Sequence, residues 1–312
     1  MLKIYFKKVN DVSIQELNQL KSGCWIKVIN PTKEEIDFLV KKVGVLKDFI
    51  EDALDEDERP RVDKDDGQKL IVVRIPHKEI INGNVEIQTI PLGIIIMDKY
   101  IITICLEDED VTKPFEQNKV RNFSTTQRTR FLLYTLREIN KRFDQYINEM
   151  EKYIRKIEHS AAKSLSNQEI LKLLMFQKTL LYFNVSIIAN EKVFRRIASG
   201  KIVRLYESDE DLLEDLMLNN EEMLENVKIF GKILSNAIDA YSSVVSNNLN
   251  MIMKTLTSIT IIFSVPTIIF SAYGMNVRLP IQFHPQAFWI TWIISILWML
   301  IMTYIFKKIN WL

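Results

Sequence analysis

Two long uncharged runs near the C-terminal end constrain this chain more than any other feature of its sequence. They cover residues 255–273 and residues 287–306, and neither contains a charged side chain. A run of about 20 apolar residues is long enough for a helix to cross the hydrocarbon core of a bilayer. Residues 274–286 between them are too few for a domain, so we expect a hairpin of two transmembrane helices.

The acidic residues end before the first of these runs. The chain has 41 Lys and Arg and 40 Asp and Glu, but its last acidic residue is Asp239. An average over the whole chain therefore hides a highly charged body and a tail without carboxylates. The body is not basic, which argues against a nucleic-acid partner.

The charges that flank the runs indicate how the hairpin is oriented. Lys254 precedes the first run and Lys307 and Lys308 follow the second, whereas the loop carries only Arg278. Lys and Arg residues next to the ends of transmembrane helices favour the cytoplasmic side of a membrane. We therefore expect a multi-pass protein of the cell membrane with both termini in the cytoplasm.

The charged body begins with an α/β pattern and continues with helices. β-Branched stretches bounded by turn residues predict strands, and the apolar spacing together with the scarcity of Gly and Pro after residue 114 predicts long helices. The predicted strands are 69–76, 85–97 and 100–107. The predicted helices are 33–44, 47–58, 124–164, 167–199 and 208–273. Read continuously, the last helix would be roughly 100 Å long at about 1.5 Å per residue, which implies self-association.

A heptad pattern of polar residues runs through the first uncharged run. Its members are Asn250, Met253, Thr257, Thr260, Ser264, Thr267 and Ser271. In a helix these positions share one face, and all but Met253 are polar. Several copies of such a helix around an axis would line a wet pathway. The alternative is that small polar residues here only let helices pack closely.

A short motif, Tyr273-Gly274-Met275-Asn276, ends the first run. We expect Gly274 to end the helix, which leaves the last backbone carbonyls without intrahelical partners. Asn276 adds an amide oxygen. Several copies would form a ring of neutral oxygens, which suits a cation that keeps its water shell, and Mg²⁺ dehydrates reluctantly.

This motif, between two uncharged runs and followed by a basic end, resembles the CorA family of divalent-metal transporters. Further segments that resemble the family are 246–257 at the start of the pattern, 50–62 and 131–139 in the body, and FKKINWL at the end. Together these segments extend the resemblance over nearly the whole chain.

The resemblance implies a funnel-shaped homopentamer in which a helical stalk continues into the two-helix transmembrane hairpin. It implies uptake of Mg²⁺, and often of Co²⁺ or Ni²⁺, driven by the electrochemical gradient. Mg²⁺ would be both the transported and the regulatory ion, with no organic cofactor, and the partners would be further copies of the chain, the bilayer and divalent cations. The implied organisation is a cytoplasmic α/β domain (1–120), a helical hairpin region (121–207), a stalk helix (208–254), a pore-lining transmembrane helix (255–273), an extracytoplasmic loop (274–286), a second transmembrane helix (287–306) and a basic cytoplasmic tail (307–312).

The family's functional residues carry over to matching positions of this sequence. The implied selectivity filter is Gly274, Met275 and Asn276. The implied pore lining and gate comprise Asn250, Met253 and Leu256, followed by Thr257, Thr260, Ser264, Thr267 and Ser271. The implied regulatory metal site uses Glu51, Asp52 and Asp215. These carboxylates are expected to be unpaired, so those of neighbouring subunits would repel one another when the site is empty, and bound Mg²⁺ would hold the channel shut.

Three positions depart from the family's pattern. The loop has Arg278 and no acid, which should weaken the concentration of cations at its mouth. Asn219 stands where many members have a His, and Arg142 where some have an acid. A second regulatory metal site is therefore in doubt.

Two alternatives to Mg²⁺ transport stay open at this point. One is a transporter of Zn²⁺ or another transition metal in the same family, although Met275 favours Mg²⁺. The other is a non-conducting, membrane-anchored metal sensor, which would not need a polar stripe. An enzyme is not expected, because the sequence has no nucleophile–base constellation and no phosphate-binding loop.

Overall fold

In the computed structural model the chain divides into two compact units, Met1–Asn236 and Ala237–Leu312. The structure describes residues 1–81, 84–160, 167–281 and 283–311. The first unit combines a β-sheet with helices, and the second is a hairpin of two helices.

A seven-stranded mixed sheet forms the centre of the first unit. Its strands are β1 (Leu2–Phe6), β2 (Gln15–Leu17), β3 (Trp25–Ile29), β4 (Arg61–Asp65), β5 (Gln68–Ile81), β6 (Asn84–Ile96) and β7 (Ile101–Cys105). Their order is β2-β1-β3-β7-β6-β5-β4, with β3 and β7 parallel and the other neighbours antiparallel. The three predicted strands are confirmed as β5, β6 and β7. The four that the sequence did not predict are short, and β1, β3 and β4 interleave Lys, Arg or Asp with apolar residues.

The helices of the chain largely follow the predicted pattern. They are α1 (Lys33–Phe38) with a π-helical continuation (Leu39–Val43), α2 (Lys47–Ala53), α3 (Lys113–Glu116), α4 (Arg128–Ser160), α5 (Asn167–Ala198), α6 (Glu207–Tyr273) and α7 (Ala287–Lys308). A capping box of Thr32 and Glu35 begins α1, and left-handed Gly200 follows α5. The predicted length of α2 was wrong, because the helix ends before the acidic residues 55–58.

The predicted start of α4 at Ser124 was also wrong. Ser124 and Thr125 instead bond to the end of β1: the Ser124 hydroxyl donates to the Lys7 carbonyl at 2.8 Å, and the Thr125 amide donates to the same oxygen at 3.0 Å. Side chains that bond to other backbone groups compete with helix formation. The predicted end of this helix at Ser164 lies outside the described residues.

The two faces of the sheet are covered by different helices. On one face, Leu39 and residues of α2 pack with Ile26 and Ile104 in a buried apolar cluster. On the other face, the Trp25 ring lies 5.2 Å from the ring of Phe131 in α4, measured between centroids. One face of the sheet therefore supports α2, and α2 carries two of the predicted metal-binding acids.

Three described helices are long and apolar enough to cross a membrane by length and composition: α5 from Gln168, α6 and α7. Contacts with the sheet identify α5 as part of the α/β unit. Asn190 bonds to both the amide and the carbonyl of Arg74, at 2.8 Å each, and the Ser186 hydroxyl lies 2.8 Å from that of Thr89. α6 and α7 contain the two uncharged runs, so they remain as the candidate spans.

Candidate functional site

One face of α6 packs against α7 in the second unit. Ser258, Ile262 and Pro266 are buried on this face, and Thr291 and Ser295 are buried on α7. The Phe270 and Trp292 rings of the two helices lie 5.9 Å apart between centroids, and the Thr255 hydroxyl donates at 3.4 Å to the carbonyl of Trp311, which follows α7. Pro266 does not end α6, because the helix continues to Tyr273.

The polar stripe lies on the opposite face of α6. At about 100° per residue, the centre of the stripe is roughly 180° from the centre of the face formed by Ser258, Ile262 and Pro266. Its seven side chains are exposed within the chain, apart from half-buried Ser264. Leu256, the other predicted gate residue, lies at the edge of the stripe and is 56% exposed.

Three hydroxyls of the stripe, those of Thr260, Ser264 and Thr267, donate their protons to carbonyls of their own helix. Thr260 bonds to the Leu256 carbonyl and Thr267 to the Phe263 carbonyl, each at 2.8 Å. A hydroxyl oxygen still has lone pairs with which to accept a hydrogen bond. The stripe can therefore accept hydrogen bonds from water, including the water that surrounds a cation.

α6 ends where the sequence predicted, at Tyr273. The Gly274 amide donates to the Phe270 carbonyl at 3.0 Å, and the Met275 amide donates to the Ala272 carbonyl at 3.1 Å. Gly274 is not among the glycines with a left-handed backbone, so a tight turn rather than a left-handed cap ends the helix. Met275 and Asn276 follow with exposed side chains.

The first unit pairs two of the predicted metal-binding acids with cations. Asp52 Oδ2 lies 2.6 Å from Arg61 Nη2, and Glu51 Oε1 lies 2.7 Å from Lys47 Nζ. Asp215 is exposed on α6. The expectation that all these carboxylates are unpaired was therefore wrong for Glu51 and Asp52.

Arg61 is a residue of this region that the sequence reasoning missed. Its guanidinium bonds to Asp63 and Glu58 as well as to Asp52. The hydrogen bond that Arg61 donates to Asp63 is the main cause that raises the pKa of Arg61; burial lowers that pKa, and Glu58 and Asp52 raise it further. The sequence did contain a signal for this pairing, because Arg59 and Arg61 closely follow the acidic residues 55–58.

The three predicted acids do not form a metal site by themselves in one chain. Within the described residues, no group of three or more His, Cys, Asp or Glu side chains is arranged to hold a metal ion. A site that uses Asp52 and Asp215 would therefore need ligands from another copy of the chain, or a rearrangement around Arg61.

Known proteins resemble this chain over nearly its full length. Residues 21–308 match the CorA family, described as CorA-like Mg²⁺ transporter protein. The cobalt/magnesium transport protein CorA of Methanocaldococcus jannaschii is 29% identical over 98% of this chain and 95% of that protein. The protein of the same description from Thermotoga maritima is 22% identical over 98% of this chain and 88% of that protein.

A solved structure has the same fold. The complete structure of the CorA magnesium transporter from M. jannaschii matches with a TM-score of 0.82 at 25% identity, covering 100% of this chain and 99% of that one. These relatives are transport proteins, which confirms the prediction of a membrane transporter rather than an enzyme. This chain belongs to the CorA family of divalent-cation transporters.

Proposed function

We propose that this protein is a homopentameric channel for the uptake of Mg²⁺, with Co²⁺ and Ni²⁺ as further ions. Five copies of α6 would surround the pathway, with the loop outside the cell and both termini in the cytoplasm. The membrane potential would drive uptake, because it contributes about 2.3 kcal/mol per charge per 100 mV, and about twice that for a divalent ion.

The observation that carries this proposal is the separation of two faces on α6. The face of Ser258, Ile262 and Pro266 packs against α7, and the polar stripe lies opposite. A helix that only anchored a sensor in lipid would gain nothing from a second face of hydroxyls, because lipid has no donor for the lone pairs that these oxygens keep. The stripe therefore fits best around an aqueous pathway that several copies of α6 surround.

The residues of the proposed pathway suit a hydrated cation. Asn276 would present an amide oxygen from each copy at the outer end, and the hydroxyls of the stripe would accept hydrogen bonds from the ion's water. Rings of Met253 and Leu256 could close the path by excluding water. No carboxylate lies on α6 after Asp239, so the ion need not lose its water shell to a strong charged ligand.

Intracellular Mg²⁺ would close the channel by binding between cytoplasmic units. Glu51, Asp52 and Asp215 are the proposed ligands, supplied by neighbouring subunits. Asp215 and the stripe lie on the same helix, which supports a connection between this site and the pathway. Because Asp52 already bonds to Arg61, Mg²⁺ would have to compete with that guanidinium.

The proposal is tested by ion uptake into proteoliposomes that contain the purified protein. Wild-type protein should carry Mg²⁺ down an inward-negative potential, and Asn276→Ala should reduce the uptake at least about tenfold, because each copy loses one ring oxygen. Gln286→Ala is the matched control: it removes an exposed amide from the same loop, outside the motif, and should leave uptake unchanged.

Parallel uptake of Co²⁺, Ni²⁺ and Zn²⁺ distinguishes the other functions. Uptake of Zn²⁺ in preference to Mg²⁺ would replace the proposed ion and keep the transporter. Absence of uptake for every ion, with an intact oligomer, would instead favour a metal sensor. Equal Mg²⁺ uptake by Asn276→Ala and wild type would remove Asn276 from the filter.

A further inference from the structure

A side-chain hydrogen bond joins the last residue of α6 to the part of the loop that follows the motif. The Tyr273 hydroxyl donates to the Pro280 carbonyl at 2.9 Å. Tyr273 is the last residue of α6, and Pro280 lies beyond the motif. The bond therefore closes the segment between them, which contains Gly274, Met275 and Asn276, into a short ring.

The backbone next to this contact is held in an unfavourable conformation. Ile281 has a φ of 65°, in the left-handed region that β-branched residues rarely adopt. Its carbonyl accepts a hydrogen bond from the His284 amide at 2.9 Å, which completes a turn. Strain of this kind persists only where surrounding contacts impose it, and it is concentrated at functional sites.

The strained residue, Ile281, directly follows Pro280, whose carbonyl accepts the hydrogen bond from Tyr273. Pro280 fixes its own φ, so the bend at Ile281 sets the direction in which the chain leaves the Pro280 carbonyl. On the other side of the ring, the amides of Gly274 and Met275 are already bonded to the last turn of α6. Residues 276–279 are therefore held at both ends, on one side by the helix and on the other by Tyr273.

We propose that Tyr273 is a positioning residue for the ion site of the loop: its hydroxyl, bonded to Pro280, holds the exposed Asn276 in place at the end of α6. This inference rests on the proposed function, in which Asn276 meets the hydrated ion. The aromatic ring alone would not hold the loop, because the hydroxyl of Tyr273 makes the hydrogen bond. Losing the bond should let Ile281 relax and let the loop move, so that the Asn276 ring binds the ion less tightly and discriminates less well.

The test compares Tyr273→Phe with the wild type by two independent measurements. The first is hydrogen exchange of the backbone amides of residues 276–279 in the solubilised oligomer, which should become at least about twofold faster without the bond. The second is the concentration dependence of Mg²⁺ uptake. The KM should rise about two- to tenfold, as expected for one lost hydrogen bond, and the preference for Mg²⁺ over Co²⁺ should fall, with Vmax nearly unchanged.

Two control variants separate positioning from general damage. Tyr304→Phe removes a hydroxyl from an α7 side chain that is 69% exposed, and it should change neither measurement. Ile281→Asn introduces a residue that tolerates the left-handed conformation, so it should keep the bend and the wild-type KM. A defect in assembly would lower Vmax in any variant without raising KM.

The two measurements also separate this inference from the proposed function. Unchanged loop exchange in Tyr273→Phe would overturn the positioning role, whatever the uptake data show. Faster exchange with an unchanged KM would show that the bond orders the loop without serving the ion site, and would also overturn the proposal. A wild-type protein that carries no Mg²⁺ would refute the proposed function, while exchange would still decide whether Tyr273 holds the loop.

Discussion

At Gly93 the backbone of β6 meets α2 without room for a side chain. A Cβ placed on Gly93 would lie 2.4 Å from the Cβ of Ala53, far inside van der Waals contact. Ala53 is the last residue of α2, one position after Asp52. The absence of a side chain at Gly93 therefore determines how closely the end of α2, with its acids, approaches the sheet.

We predict that Gly93→Ala destabilises the protein by about 1–3 kcal/mol, the usual cost of overfilling a packed interior. The melting temperature of the purified protein should fall. Gly231→Ala provides the control: no atom lies within 4 Å of the added Cβ, and alanine is the better residue inside a helix. Its melting temperature should equal or exceed that of the wild type. Equal melting temperatures for Gly93→Ala and wild type would mean that α2 can shift away from β6 at no cost.

Single residues also show where prediction from the sequence reached its limit. Asp52 was identified as a candidate ligand through resemblance, but its partner Arg61 was not, because the two are nine positions apart and only the folded chain between α2 and β4 brings them together. The hydroxyl bond of Tyr273 was missed for a related reason. A motif identifies residue types, whereas the carbonyl that accepts the bond depends on the conformation of Ile281.

At the scale of the element, α6 has two faces with different surroundings. The hydroxyl of Ser258 is buried against α7 and bonds to the Lys254 carbonyl at 2.8 Å, whereas the neighbouring Thr257 is exposed on the stripe. The heptad spacing was enough to predict that the stripe shares one face. The face that contacts α7 was not predictable, because Ser258, Ile262 and Pro266 have no distinctive pattern in the sequence.

The same substitution at these two neighbouring positions should give opposite results. Ser258→Leu forces a large side chain into the contact with α7 and should lower the melting temperature, with a cost of about 1–3 kcal/mol. Thr257→Leu should leave the melting temperature nearly unchanged. It should nevertheless block most Mg²⁺ uptake, because it adds an apolar ring to the proposed pathway.

The two measurements for this pair are thermal unfolding and Mg²⁺ uptake under a fixed potential. Ser258→Ala keeps the side chain small and should resemble the wild type in both. Normal uptake by Thr257→Leu, with normal stability, would place the pathway elsewhere than on the stripe. It would then favour the view that the small polar residues of α6 serve only helix packing.

At the scale of the whole molecule, the proposed sensing and the proposed conduction use different chemistry in different units. The candidate regulatory acids lie in the first unit, and the second unit contains one acid, Asp239, before the neutral stripe. Carboxylates bind Mg²⁺ directly and tightly, whereas neutral oxygens suit an ion that passes with its water. α6 is the element common to both units, so binding of Mg²⁺ by the first could influence the second through that helix.

This arrangement predicts opposite effects for two substitutions on closure by intracellular Mg²⁺. Asp215→Asn removes a ligand charge and should raise the Mg²⁺ concentration that half-closes the channel. Arg61→Gln removes the cation that competes for Asp52, leaves Glu58 and Asp63 without their shared partner, and should lower that concentration. Each shift should be up to about fivefold, since partly exposed ion pairs contribute about 1 kcal/mol or less.

Currents from excised liposome patches, with Mg²⁺ varied on the side of the charged unit, measure this concentration directly. Asp211→Asn is the control, because Asp211 is an exposed acid one helical turn before Asp215, and it should behave as wild type. An unchanged half-closing concentration in Asp215→Asn would remove Asp215 from the regulatory site. The same result for Arg61→Gln would mean that Asp52 binds no regulatory metal and that its bond to Arg61 only stabilises the fold. Opposite shifts in the two variants are expected only if Mg²⁺ and the guanidinium compete for the same carboxylate.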